Sequence, residues 1–198
     1  MTYDSDARTR QREQTKRALL RESRRLFATR GFAAVGLSEI VSAAGVTKGA
    51  LYHHFESKTD LFRAVLAEVQ DEVAGRVVAT AAAQNDAWDQ LTAGCRAFLT
   101  AGTDPDIQRI MLVDGPAVLG WAVWRALDEA GSARHLADAL GALIDAGVIA
   151  RQPVAPLAHL LSGAMNEAAL WLAATGNPQD LEDTWAALSA LLESLRAP

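Results

Sequence analysis

An all-α fold is predicted for this chain of 198 residues by three features of its sequence. Apolar residues recur along most of the chain at the three- and four-residue spacings of amphipathic helices. β-branched residues are scattered, and no long stretch alternates apolar with polar residues as a half-buried strand does. Glycine and proline stand between the periodic segments, where helices are expected to end and begin. The pattern predicts a three-helix N-terminal domain, residues 1–56, and a larger helical C-terminal domain, residues 57–198.

A loose arm over residues 1–7 is expected to precede the first helix of the N-terminal domain. The first four helices are predicted over residues 8–30, 38–45, 48–55 and 57–82. Ser38 has the residue type of an N-cap for the second helix, and Gly45 can adopt the left-handed conformation that the following turn needs. Ser57 and Asp60 have the spacing of a capping box at the start of the fourth helix.

Alanine-rich helical periodicity continues through the C-terminal domain. The further helices are predicted over residues 86–101, 104–113, 116–129, 132–146, 156–174 and 178–196. The run Asp114-Gly115-Pro116 is expected to break this region, since proline is favoured in the first turn of a helix. Gly147 is a signal for the end of a helix. Pro178, like Pro116, is a signal for the start of one.

Charge is distributed unevenly between the two parts of the chain. The formal net charge is −5, but residues 1–66 hold 12 Lys and Arg against 7 Asp and Glu. The remaining residues hold 7 against 17. Such asymmetry suggests that the N-terminal part meets a polyanion, so the acidic total does not argue against DNA binding.

The single cysteine, Cys95, excludes an intramolecular disulfide and a cysteine-rich zinc site. It lies in an apolar helical run, where a small buried side chain is the usual interpretation and a thiol sensor the alternative. The N-terminus lacks the apolar core of a signal peptide, and no apolar run is long enough to cross a bilayer. We therefore expect a cytoplasmic protein.

The segment LSEIVSAAGVTKGALYHHF has the length and the turn chemistry of a helix-turn-helix. Leu51 and Phe55 are four residues apart and are expected to face inward. The opposite face of the third helix is then available to a DNA groove, and it carries Lys48, Gly49, Tyr52 and His53. The alternative for Tyr52 is a core aromatic of the small bundle.

Helix starts provide further candidate phosphate contacts, because free N–H groups and the helix dipole favour anions there. Thr47 can cap the third helix and reach a phosphate, and Ser38 and Ser57 occupy the same kind of position. Lys58 adds a full charge at the start of the fourth helix. Basic residues between Arg8 and Arg17 either contact DNA or form a solvated face.

The stretch RLFATRGFAAVGLSEIVSAAGVTKGALYHHFESKTDLF resembles the N-terminal signature of the TetR (tetracycline-repressor-like) family of bacterial transcriptional regulators. The residues that carry the resemblance are Phe27, Gly31, Phe32, Ile40, Ala44, Gly45, Val46, Gly49, Leu51, Tyr52, Phe55, Lys58 and Leu61. A bare helix-turn-helix is a weak signal, but a pattern continuous for about forty residues is specific.

The resemblance implies the fold of the whole chain and roles for individual residues. Thr47, Lys48, Tyr52 and His53 would contact DNA, Ser38 would bind a phosphate, and Lys58 would hold the DNA backbone. The chain would be a homodimer on a palindromic double-stranded operator, with a small-molecule effector bound in the C-terminal domain. By family habit it would be a repressor, and no cofactor is implied.

Two apolar stripes near the C-terminus are candidates for the dimer interface. They comprise Leu157, Leu161, Ala164, Ala168 and Trp171 on one helix, and Leu181, Trp185, Leu188, Leu192 and Leu195 on the next. Two such helices from each protomer could form a four-helix interface. The alternative is that both stripes are buried within their own subunit, and periodicity does not distinguish the two.

Bulky side chains in the middle helices are candidates for an effector pocket, although such residues are more often simple core. They are Phe98, Met111, Trp121, Trp124, Met165, Asn166 and Trp171. The resemblance leads us to expect a largely apolar effector. We further hypothesise that the fourth helix transmits its binding, because this helix begins at the DNA and continues to the pocket.

Two other functional classes are weaker alternatives. A helical-bundle enzyme lacks support, since no catalytic grouping, phosphate loop or metal motif is apparent. His53 and His54 are adjacent on a helix and diverge by about 100°, which disfavours a shared metal ion. His54 is expected to pack on the fourth helix or face solvent. The other alternative is a ligand carrier or scaffold that no longer binds an operator. The basic face with Thr47, Lys48, Tyr52 and Lys58 argues against it.

Overall fold

The computed structural model describes residues 2–175 and 177–197 of the chain. Over these residues the all-α prediction is confirmed, because every regular element is a helix. The only pairing of extended residues within them is a single antiparallel bridge between Ile149 and Arg196. That bridge ties the end of the chain to the loop that follows Gly147.

The N-terminal part contains four helices whose order matches the prediction. They are α1 (Thr2–Arg30), α2 (Leu37–Ala43), α3 (Lys48–His54) and α4 (Lys58–Ala82). Residues 2–7 belong to α1, so the loose arm predicted there is wrong; Met1 lies outside the described residues. Helix α1 therefore begins before the turns that bury its apolar side, whose first fully buried residue is Leu19.

The caps of these helices follow the sequence with one exception. Gly31 and Gly45 adopt left-handed conformations, with φ of +77° and +65°, and end α1 and α2. Ser38 is not the N-cap of α2, because Gly36 occupies that position and Ser38 is the second residue inside the helix. Helix α2 therefore begins without a side-chain cap.

The C-terminal part contains the remaining helices of the described chain. They are α5 (Ala87–Gly102), α6 (Pro105–Ile107), a π-helical segment (Gln108–Asp114), α7 (Gly115–Leu119), α8 (Trp121–Ala130), α9 (Ser132–Asp145), α10 (Val154–Thr175) and α11 (Pro178–Glu193). Helix α4 packs along α5 and also contacts α1, so it belongs to the cores of both parts.

The predicted break at Asp114-Gly115-Pro116 is wrong, since helical turns continue through these residues. A proline in a helix clashes with the carbonyl four residues before it. The wider turns of the π-helical segment just before Pro116 relieve that clash. The chain instead breaks at Gly120, whose φ of +80° suits only glycine.

An aromatic cluster joins α1, α4 and the loop between α1 and α2. The rings of Phe27 and Phe62 are fully buried and meet edge to face with centroids 5.4 Å apart. Phe32 packs on Phe62 in the same manner at 5.2 Å. The cluster fixes the three-helix N-terminal unit on the first turns of α4.

Candidate nucleic-acid interface and ligand cavity

The turn between α2 and α3 orients α3 on the small core. The N–H of Val46 donates to the carbonyl of Val41 at 3.0 Å across the left-handed Gly45. Thr47 caps α3 as predicted, since its Oγ1 accepts a hydrogen bond from the N–H of Ala50 at 3.2 Å. The geometry is that of a helix-turn-helix.

Helix α3 has one buried face and one exposed face. Leu51 is 1% exposed and anchors the buried face, as its phase predicts. Tyr52 is 57% exposed, and Lys48, Gly49 and His53 are exposed with it. The alternative that Tyr52 is a core aromatic is therefore wrong. This face, which we call the α3 face, consists of Lys48, Gly49, Tyr52 and His53.

The start of α4 lies beside this helix-turn-helix. Ser57 caps α4, because its Oγ accepts from the N–H of Asp60 at 3.0 Å. The carboxylate of Asp60 accepts from the N–H of Glu56 at 3.1 Å, one residue before the position expected for a capping box. Lys58 Nζ lies 4.1 Å from the centroid of the Phe32 ring, and burial there lowers the pKa of Lys58.

Basic residues of α1 extend the positive surface towards α3. The charges of Arg12 and Lys16 add to burial in lowering the pKa of His54, so these two residues lie near the end of α3. His54 is half-buried on this side of α3. Its ring meets that of His53 edge to face with centroids 5.7 Å apart. No group of three or more metal-ligating side chains occurs among the described residues.

Ser38 lies in α2, the first helix of the helix-turn-helix. It is exposed in the first turn of α2, although it does not cap the helix. Its hydroxyl and the uncapped N–H groups of that turn are therefore available to a phosphate. The phosphate contact of Ser38 stays a prediction.

The C-terminal part contains a cavity of about 90 Å³ that opens to solvent. Its wall comes from α4, α5, α8, α9 and α10, and is mostly apolar. Its lining residues include Val78, Cys95, Phe98, Asp128, Ala139, Ser162 and Met165. Burial raises the pKa of the Cys95 thiol to about 12, which suppresses the reactive thiolate.

The structure divides the residues predicted for the effector pocket into three groups. Phe98 and Met165 line the cavity, and Asn166 is buried in the polar cluster beside it. Met111 and Trp124 are buried elsewhere and are joined, since Trp124 Nε1 donates to the Met111 carbonyl at 2.7 Å. The others, Trp121 and Trp171, are 66% and 49% exposed and lie outside the cavity.

A buried polar cluster, of which the sequence predicted only Asn166 as a site residue, lies at one end of the cavity. It consists of Arg125, Asp128, Ser162 and Asn166, each less than 9% exposed. Arg125 Nη1 donates to Asp128 Oδ2 at 2.9 Å and to Ser162 Oγ at 3.0 Å. The signal that could have revealed it is a charged residue on the apolar phase of a helix, here Arg125 and Asp128 three apart on α8.

The predicted dimer stripes face largely inward. Leu161, Leu188 and Leu192 are buried, and Leu157, Ala168, Leu181 and Trp185 pack against the same core. Leu195 lies beyond the end of α11, where its carbonyl accepts from the N–H of Ala150 at 3.2 Å. Of the predicted set, Ala164 and Trp171 are exposed. Leu160 and Leu191 are further large apolar side chains that are exposed on these two helices.

A helix-turn-helix unit joined through a long helix to a second helical domain with a cavity defines the structural class. The sequence matches two family models over most of its length. "Bacterial regulatory proteins, tetR family" matches residues 19–65, and "Tetracyclin repressor-like, C-terminal domain" matches residues 88–195. The chain belongs to the TetR family of bacterial transcriptional regulators.

Individual relatives agree with this assignment. A TetR-family transcriptional regulator from Pectobacterium atrosepticum is 35% identical, with 95% of this chain and 97% of that one covered at a TM-score of 0.79. The transcriptional regulator AcrR of Shigella flexneri is 46% identical over 50 residues, or 25% of this chain and 23% of AcrR. The transcriptional activator FasR of Mycolicibacterium smegmatis is 36% identical over 87 residues, or 44% and 40%. The match thus spans less than half of either curated relative. None of the described helices is long and apolar enough to cross a membrane.

Proposed function

We propose that this protein is a sequence-specific, DNA-binding transcriptional repressor that releases its operator when a small, largely apolar effector binds. Residues 1–56 form the DNA-binding domain and residues 57–198 the effector-binding and dimerisation domain. The protein acts in the cytoplasm as a homodimer on a palindromic operator. Its family consists of transcriptional regulators rather than enzymes, which supports this assignment over catalysis.

The observation that carries the proposal is the α3 face. It places the cation Lys48, the side-chain-free Gly49 and the exposed aromatic Tyr52 on one side of α3. The turn that Thr47 caps fixes the orientation of this helix. Gly49 lets the helix approach the bases, and Tyr52 supplies an apolar body for a thymine methyl group. Thr47, Ser38 and Lys58 surround this face and serve as phosphate contacts.

Dimerisation is expected through the exposed sides of α10 and α11. Leu160, Ala164 and Trp171 lie at spacings of four and seven along α10, so they form one exposed stripe. Leu191 is 58% exposed on α11, which packs beside α10. Exposed apolar side chains at helical spacing suit a helix-packed interface between two copies.

Effector binding would reach the DNA through α4. Val78 of α4 lines the cavity, and Lys58 is the first residue of the same helix, four residues after the end of α3. A ligand that favours one tilt of α4 changes the spacing of the two α3 faces in a dimer. Repression rather than activation is proposed because a dimer that covers a promoter needs no surface for polymerase.

The test is operator binding by fluorescence anisotropy, using DNA from upstream of the protein's own gene with an excess of unrelated competitor. Tyr52→Ala should weaken binding to the specific DNA by tenfold or more, about 1.4 kcal/mol or greater. The matched control is Arg134→Ala, which removes an exposed charge from α9. Equal affinity of the wild-type protein for upstream and competitor DNA would reject sequence-specific regulation.

A reporter gene placed behind the upstream DNA distinguishes repression from activation. Loss of the protein should raise expression if it is a repressor and lower it if it is an activator. Ligand binding that leaves operator affinity unchanged would reject the effector part of the proposal. The scaffold alternative predicts no specific DNA complex in any condition.

A further inference from the structure

The hydrogen-bond donors of the buried polar cluster converge on one oxygen of Asp128. Arg125 Nη1, Ser162 Oγ and Asn166 Nδ2 donate to Asp128 Oδ2 at 2.9, 3.1 and 3.4 Å. Ser162 Oγ itself accepts from Arg125. These donors are therefore used within the cluster.

Two acceptors in the cluster have no donor. Among the described residues no hydrogen bond is made to Asp128 Oδ1, although this side chain is 2% exposed and lines the cavity. Asn166 Oδ1 is buried and also lacks a partner. Asn166 does not line the cavity, whereas Asp128 does, so the Asp128 oxygen that accepts no hydrogen bond is the one that a ligand in the cavity with a donor is able to pair with.

Arg125 is shared between two carboxylates and an imidazole. Its guanidinium pairs with the carboxylate of Asp128 and also with that of Glu129, at 3.3 Å from Nε. His159 Nδ1 lies 3.2 Å from Arg125 Nη2, where a neutral ring accepts a hydrogen bond. The Asp128 carboxylate on the cavity wall favours a cationic donor over a neutral one, because hydrogen bonds between ionised partners are the stronger.

The remainder of the wall limits the size and polarity of the ligand. The cavity volume of about 90 Å³ is below the roughly 150 Å³ of an engineered cavity that holds benzene. Phe98, Met165 and Val78 give the wall its apolar character. A short alkyl group fits inside, whereas a ring would extend into the open mouth.

We propose that the effector is a small aliphatic or arylalkyl amine whose ammonium group donates to Asp128 while its apolar body lies against Phe98 and Met165. This inference rests on the proposed function for its regulatory consequence, but ligand binding itself does not depend on DNA.

The test compares ligands that share a body and differ in the head group. Butylamine, butanol and pentanoate form one series, and benzylamine, benzyl alcohol and benzoate form a second. Calorimetry with the full chain should show an amine dissociation constant at least about tenfold below that of the matched alcohol, with no carboxylate binding. An alcohol or carboxylate that binds as tightly as its amine, or the absence of amine binding at millimolar concentration, would overturn the proposal.

Variants locate the site. Asp128→Asn keeps the size of the side chain and removes its charge, so amine affinity should fall by about tenfold or more while alcohol affinity changes little. Because this variant risks misfolding, Ala139→Phe provides an independent test by filling the cavity from α9. Ala142→Phe places the same ring on the exposed side of α9 and should retain binding. Amine binding unaffected by Ala139→Phe would place the ligand elsewhere and overturn the proposal.

Operator release separates this inference from the proposed function. If the amines bind and leave operator affinity unchanged, the ligand class stands and the coupling fails. If an acid or alcohol releases the operator while the amines do not bind, the regulatory function stands and the ligand class is wrong.

Discussion

The backbone N–H of Phe32 donates to Asp114 Oδ2 at 2.7 Å, across 82 positions of sequence. Arg109 Nε lies 3.4 Å from the same carboxylate. Lys58 Nζ lies over the ring of Phe32. Asp114 is the last residue of the π-helical segment in the C-terminal part. One carboxylate thus connects the loop beside the α3 face to the domain that contains the cavity.

Replacing Asp114 should therefore weaken the connection between the two parts. Asp114→Ala removes the acceptor of the Phe32 N–H and the partner of Arg109. We expect the free energy of unfolding to fall by about 1.5–3 kcal/mol, the usual contribution of a hydrogen bond to a charged group. Urea denaturation of the purified protein measures the change.

Asp114→Asn is the matched variant for this prediction. It keeps an oxygen that can accept from Phe32 and removes only the charge, so its loss of stability should be the smaller of the two. Equal losses for both variants would mean that the charge near Arg109, and not the hydrogen bond, makes the connection.

A glycine pair tests the turn at the end of α1. Gly31 has φ of +77°, and a Cβ there would lie 2.0 Å from Arg109 Nη2. Gly31→Ala should cost about 1–2 kcal/mol of stability, because a residue with a side chain is strained in the left-handed region and Arg109 must move. Thermal unfolding followed by circular dichroism reports the loss.

Gly75→Ala is the control with the opposite sign. Gly75 is an exposed residue inside α4, and no neighbouring atom lies within 4 Å of a Cβ built on it. Alanine there should raise stability by about 0.5–1 kcal/mol through helix propensity. A destabilised Gly75→Ala protein would contradict the assignment of a regular α4 at this point.

The helices, their caps and the exposed face of α3 were predictable from the sequence, because they depend on interactions between residues close together in the chain. The left-handed Gly45, the Thr47 and Ser57 caps and the exposed Tyr52 all depend on residues within a few positions of one another. Features of this kind can be predicted from the sequence, because they depend on the types and spacing of neighbouring residues. The α3 face was therefore predicted residue by residue.

Features that depend on tertiary contacts were not predictable in the same way. Periodicity identifies an apolar stripe but not its partner, and Leu188 and Leu192 pack within the subunit rather than at its surface. The π-helical turns before Pro116 have no sequence signal of their own. Asp128 of α8 meets Ser162 of α10 across 34 positions of sequence, a contact that no local pattern indicates.

Salt dependence tests the role of Lys48 on the α3 face. Each phosphate neutralised by a protein cation releases counterions, so log K falls linearly with log salt concentration. Lys48→Ala should reduce the magnitude of that slope by about 1 and weaken binding at low salt. Anisotropy titrations at several potassium chloride concentrations give the slope. Arg151→Ala, an exposed cation beyond α9, should leave it unchanged.

Acid stability should depend on Glu72, which joins α4 to α1. Its carboxylate pairs with Arg24 of α1 and with Arg76 of α4. The hydrogen bond from Arg24 is the largest cause that lowers the pKa of Glu72 below its ordinary value of 4.5. A lowered carboxyl pKa means that the unfolded chain binds the proton more tightly. The stabilisation is thus complete above pH 4.5 and is lost as pH falls through the lower pKa of the folded state.

Glu72→Gln should therefore be less stable than the wild-type protein at pH 7, and the difference should shrink as the pH is lowered below 4.5. The amide cannot form the ion pairs at any pH, whereas the wild-type carboxyl loses them on protonation. Urea unfolding at a series of pH values between neutrality and acid measures this difference. Glu68→Gln, an exposed change on the same helix, controls for removal of one negative charge. A Glu72→Gln difference that stays constant with pH would show that packing of the side chain, and not its charge, stabilises the contact between α1 and α4.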